Sequence, residues 1–165
     1  MRWKHCVIST LRGSLMLTSD FKEFAELLNL NGVEYLVVGG YALAAHGHPR
    51  YTSDLDFWIG TESGNAEKVL TALVQFGFGS LGIGNEDLTT PNRVIQLGDP
   101  PRRIDLLTSI DGVDFKPSYQ RRMTVAVDSV DLHFICLEDF KVNKKAVGRH
   151  QDLADLEALE RPKEP

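Results

Sequence analysis

The chain has 165 residues, of which 42% are hydrophobic and 25% charged, a mix that fits one folded domain and excludes wholesale disorder. Lys plus Arg is 18 against 23 for Asp plus Glu, giving a formal net charge of -5. An acidic balance excludes a general polyanion binder, so bulk nucleic-acid binding is not expected.

No apolar run approaches the ~18 to 20 residues that a membrane span needs. Arg2 and Lys4 precede a stretch broken by Arg12 and by polar Ser and Thr, so no signal-peptide core forms. Cys6 and Cys136 have no CxxC partner or metal spacing and read as free thiols. On these features the chain is expected to be cytoplasmic. Met16 directly precedes Leu17-Thr18-Ser19-Asp20, which has the form of a helix start. Residues 1–15 are therefore expected to be an extension outside the fold, 16–160 a single domain, and 161–165 a polar tail.

Ser19 or Asp20 is expected to cap a first helix, because either side chain offers an oxygen to the first-turn N–H groups. Phe21, Phe24, Ala25, Leu27 and Leu28 follow at helical spacing, and Asn31-Gly32 stops the run. Val33 to Val38 reads as a buried strand entering a tight turn at Gly39-Gly40, and Tyr41 to His46 as a short helix closed by Gly47. Leu55, Phe57 and Ile59 alternate with Asp54, Asp56 and Trp58, the period of a strand. Asn65 to Phe76 reads as a helix, and the glycine-rich stretch Gly77 to Asn92 as loop. Strands are expected at Arg93 to Leu97 and Arg103 to Ser109, and across Met123 to Ile135, where a hairpin turns near Asp128-Ser129. A helical region from Leu137 to Glu160, weak at Gly148, closes the domain. This order predicts an α+β fold, one mixed sheet with helices packed on it and a C-terminal helix.

Asp54 and Asp56, at i and i+2 in a strand, project from one face within reach of a shared cation. Two such anions repel unless positive charge sits between them. Magnesium suits that place, being a hard ion that takes one or two carboxylates together with phosphate oxygens. Gly39-Gly40 lets backbone approach a ligand at the end of the preceding strand. In Arg103-Ile104-Asp105-Leu106-Leu107, Asp105 alternates with apolar neighbours and points away from them. It is either an aspartate paired with Arg102 or Arg103, or the third carboxylate of a two-ion phosphoryl-transfer site.

The run Val37-Val38-Gly39-Gly40-Tyr41-Ala42-Leu43-Ala44-Ala45-His46-Gly47, with Arg50, Thr52 and Asp54-Leu55-Asp56, resembles the minimal nucleotidyltransferases of the polymerase-β superfamily. It is most similar to the bacterial branch of AbiEii-like toxins and small proteins of toxin–antitoxin and phage-defence operons. The resemblance covers about Asp20 to Leu159. It implies a nucleotidyltransferase fold and magnesium-dependent transfer of a nucleoside monophosphate from an NTP, ATP included, to a protein, tRNA or small-molecule acceptor. By the same resemblance Gly39 and Gly40 hold the triphosphate, while Asp54, Asp56 and Asp105 bind metal, Asp105 doubling as general base. A Lys of the last helical region, Lys144 or Lys145, faces the phosphates, with Lys144 taken as the match. Arg50 is placed to neutralise a phosphate and Thr52 to donate a hydrogen bond to one. The superfamily's larger members carry helical domains that this chain lacks, which points to an operon-encoded toxin or helical protein as partner. The alternative function is a nucleotidyltransferase-like antitoxin or defence component that acts mainly by binding such a partner.

His46 is expected to bond the last carbonyls of its helix. Trp58 is a candidate to pack on the aspartate-bearing strand face. The Arg149–Asp152 pair and its neighbours read in part as surface ion pairs.

Overall fold

A computed structural model describes residues 17–162. The expected extension over residues 1–15 lies outside the described residues, as do Cys6 and most of the polar tail; Cys136 is a free thiol. Thr18, rather than Ser19 or Asp20, caps α1 (Ser19–Leu30), its hydroxyl accepting from the Phe21 N–H at 3.3 Å. The helix buries Phe21, Phe24, Ala25 and Leu28, the face expected from their spacing.

Strand β1 (Tyr35–Val38) runs directly into α2 (Gly39–Ala45), followed by β2 (Asp54–Ile59) and α3 (Ser63–Phe76). Gly77, at φ 100°, ends α3 in the left-handed region. The stretch expected as loop instead holds a 3-10 turn (Gly79–Leu81) and a short helix, α4 (Asn85–Thr89). There the Asp87 carboxylate accepts from the Gly84 N–H at 2.8 Å, a local cap that outweighs the glycine content. Strands β3 (Val94–Leu97) and β4 (Arg103–Leu107) precede α5 (Phe115–Gln120), a helix absent from the sequence expectation. The β5 (Met123–Val127) and β6 (Val130–Phe134) hairpin turns at Asp128 and Ser129, both at positive φ (49° and 69°), as a two-residue turn between twisted strands requires. The closing helical region is two helices, α6 (Leu137–Val147) and α7 (His150–Glu160), separated at Gly148, whose φ of 67° stops the first.

The strands form one sheet in the order β3-β4-β2-β1-β6-β5. Pairing is antiparallel for β1/β2, β3/β4 and β5/β6, and parallel for β2/β4 and β1/β6, so the sheet is mixed as expected. Leu55, Phe57 and Ile59 are fully buried on the face covered by α1 and α3, where Phe24 meets Phe57 and Phe76 edge-on at 5.6 and 5.1 Å. Fully burying one such side chain contributes about 1.5–3 kcal/mol. Side-chain alternation puts Asp54, Asp56 and Trp58 on the opposite face. There Trp58, 1% exposed, packs edge-on against Phe115 of α5 at 5.1 Å. The apolar face of β2 thus anchors the strand, while its other face packs through Trp58 at one end and carries Asp54 and Asp56 at the other. Among the described residues no helix is long and apolar enough to cross a membrane.

Candidate active site

The parallel pairing of β2 with β4 sets Asp54 opposite Arg103 and Asp56 opposite Asp105. Residues Asp54, Asp56, Arg103 and Asp105 therefore share one face at the same end of two neighbouring strands. Val38, paired with Asp56 across β1/β2, delivers Gly39 to that end. Gly39 adopts φ +69°, and a Cβ there would fall on Oδ2 of Asp56. Only glycine lets the strand turn into α2 this close to the carboxylate. Gly40 is constrained by space alone: a Cβ would lie 2.8 Å from Cβ of Thr52 and 3.1 Å from Nη1 of Arg50.

These groups open on a cleft of about 420 Å³, whose walls include Gly39, Asp54, Asp56 and Asp105 on the sheet side and Lys144 and Arg149 on the helical side. Gly40, Arg50 and Thr52 are not among the residues lining it. Arg50 turns instead to α7, donating from Nε and Nη2 to the Asp155 carboxylate at 2.8 and 3.0 Å, and Thr52 donates to the Asp54 carbonyl at 3.2 Å. Lys144 is buried whereas Lys145 is exposed, so Lys144 is the lysine that faces the site. His46 caps α2 as expected, its backbone N–H donating to the Ala42 carbonyl at 3.0 Å, and its ring Nε2 also contacts the Ile135 carbonyl at 2.9 Å, joining α2 to the end of β6.

The helical wall is an ion network. Lys144 Nζ lies 3.0 Å from Asp152 and 3.1 Å from Asp155, and Arg149 Nε donates to Asp152 at 2.8 Å. The Arg149–Asp152 pair expected from sequence forms with an exposed arginine, 74%, but both aspartate side chains are 1% exposed, so the acids are buried rather than on the surface. Burial pushes each carboxyl upward, but hydrogen bonds from Arg50, Gln151 and Lys144 hold Asp155, and those from Arg149 and Lys144 hold Asp152, below the ordinary value. Three cations thus surround two anions, and of these groups Lys144, Arg149 and Asp152 line the cleft.

The sheet wall sets three carboxylates against one cation, Arg103. Burial, then the charges of Asp105 and Asp54, lift Asp56 to about 7 against the opposing pull of Lys144 and Arg103. Burial likewise raises Asp105 despite its hydrogen bonds from Arg103. Arg103 donates to Asp54 Oδ2 from Nη2 at 2.7 Å and to Asp105 from Nε and Nη2 at 2.9 and 3.1 Å. Asp105 is thus paired with Arg103, the first of the two readings posed by the sequence, and it also shares the face of Asp54 and Asp56. Among the described residues no three His, Cys, Asp or Glu side chains are arranged to hold a metal ion as they stand. The donor chemistry nonetheless fits a hard divalent cation: three carboxylates lie on one face, and Asp56 receives no hydrogen bond from any described residue while two like charges press on it.

A six-stranded mixed sheet bearing paired aspartates next to a glycine turn, and facing a lysine, fits the nucleotidyltransferase class. The chain belongs to the family described as nucleotidyl transferase of unknown function (DUF2204), which matches residues 17–164. Two solved structures share the fold. One is an antigenic nucleotidyltransferase-like protein from Paracoccidioides brasiliensis, with TM-score 0.52 and 17% identity over 88% of this chain and 76% of that one. The other is a proposed nucleotidyltransferase from Thermotoga maritima, with TM-score 0.53 and 13% identity over 82% of this chain and 87% of that one. No curated protein matches the chain.

Proposed function

We propose that the protein transfers a nucleoside monophosphate from an NTP to a hydroxyl-bearing acceptor in a magnesium-dependent reaction. The observation that carries this reading is the facing of Asp54, Asp56 and Asp105 with Lys144 across one cleft beside Gly39. Phosphoryl transfer asks the protein chiefly for positioning and charge neutralisation. Asp54, Asp56 and Asp105 would hold magnesium, which when bound neutralises charge on the phosphates. Lys144, fixed by Asp152 and Asp155, faces the polyphosphate from the other wall. Asp105, raised by burial, suits the task of taking the proton as the acceptor oxygen bonds to the α-phosphorus and pyrophosphate leaves. Arg50, expected from sequence to neutralise a phosphate, supports this arrangement from behind Gly40 by fixing Asp155.

The acceptor is a protein, a tRNA end or a small hydroxyl compound. The resemblance to toxin–antitoxin proteins makes an operon-encoded toxin or helical protein the partner to add to the assay. The test incubates the protein with each α-labelled NTP, magnesium and host lysate. Label should appear on one acceptor and vanish with the Asp54→Asn, Asp56→Asn double variant. Full labelling by that variant would reject the reading.

A further inference from the structure

We infer that Arg103 is the resting counter-ion of the site, which a divalent cation must displace from between Asp54 and Asp105. This inference rests on the reading of these aspartates as cation ligands.

The geometry is specific to this side chain. Arg103 and Asp105 are two apart in β4, so they share a face, and strand pairing brings Asp54 opposite Arg103. A single nitrogen, Nη2, lies 2.7 Å from Asp54 Oδ2 and 3.1 Å from Asp105 Oδ2, while Nε adds a second prong to Asp105 at 2.9 Å. A guanidinium presents its donors in a fixed fork, so this bridge is preorganised rather than a chance contact of a flexible ammonium. Magnesium binds oxygen at about 2.0–2.1 Å. An ion shared by the same two oxygens would occupy the space of Nη2, and like charges so close repel. The two cations are therefore mutually exclusive. Arg103 has somewhere to go: its side chain is 26% exposed and lines the cleft. Displaced, it stays within the cavity, where a polyphosphate brings negative charge.

Removing the guanidinium should tighten binding of Mn²⁺, added alone without nucleotide and followed by electron paramagnetic resonance. Arg103→Gln should bind Mn²⁺ about fivefold or more tighter than the unaltered chain, the lower end of ordinary coupling between sites. Arg102→Gln removes the same charge next door from a side chain that is 68% exposed and 3.7 Å from Asp20. It should change Mn²⁺ affinity far less, which separates displacement from a general field effect. If Arg103→Gln does not fold, Arg103→Lys keeps the charge but loses the fork and should shift affinity the same way. In the unaltered chain, the Arg103 Nε–H resonance should move on saturation with Mg²⁺. Equal effects of Arg102→Gln and Arg103→Gln, or an unmoved resonance at saturation, would overturn the inference while leaving the aspartates as cation ligands. No Mn²⁺ binding by any of these chains would overturn both.

Discussion

Asp56 of β2 stands directly opposite Asp105 of β4, so two buried-leaning carboxylates occupy one register position on one face of the sheet. The folded chain keeps a proton on Asp56 up to about pH 7, whereas the unfolded chain releases it near 3.8. Folding therefore binds a proton between those values, and this site's contribution to stability is full below about 4 and lost as pH rises through 7. Asp56→Asn removes the charge. In EDTA its melting temperature should exceed that of the unaltered chain at pH 8, by about 2–4 °C for each kcal/mol relieved. At pH 4 the two should melt together. The same difference at both pH values would contradict the assignment.

Gly39→Ala places a methyl group on the Asp56 carboxylate in a backbone conformation that L side chains rarely adopt. Strain of this kind costs about 1–3 kcal/mol. The variant should melt several degrees lower and lose binding of ATP with magnesium, both read by thermal shift.

Asp155→Asn unties two elements at once, since Asp155 holds Arg50 from the segment after α2 and Lys144 from α6. Removing one partner of a buried ion pair costs about 3–5 kcal/mol. Because Asp155 is held below the ordinary value, its stabilisation is present above about 3.8 and is lost as pH falls through the depressed folded value. Denaturant midpoints of the two chains should thus differ widely at pH 7 and converge in acid.

Lys144 and Lys145 are neighbours in sequence with opposite fates. Lys144→Gln should weaken ATP binding at least tenfold, the loss of about 1.4 kcal/mol from one charged contact. Lys145→Gln should leave it within twofold. Calorimetry with ATP and magnesium distinguishes the two.

Much of this site is legible in the chain because it is local. The alternation of Leu55, Phe57 and Ile59 with Asp54 and Asp56 fixes the face of β2, and Gly39-Gly40 marks the close turn. Asp105 follows from the same alternation in β4. What is not legible depends on partners that meet only in three dimensions. Asp152 and Asp155 have the spacing of solvent-facing residues, and their burial arises because Lys144, Arg149 and Arg50 converge on them from three segments. The aim of Arg50 is set by Asp155, 105 residues away, not by its nearness to the aspartates. Helix α5 escapes the apolar pattern because Pro117 lies in its first turn, where the missing N–H costs little, and its packing rests on Phe115 against Trp58.

The most direct test of the site is the dependence of ATP binding on the divalent ion, measured by calorimetry with and without magnesium in the unaltered chain and in Asp56→Asn. If acidic groups of β2 and β4 hold an ion against the phosphates, heat of binding appears only with magnesium and is lost in the variant. Equal binding in EDTA, or undiminished binding by Asp56→Asn, would contradict it.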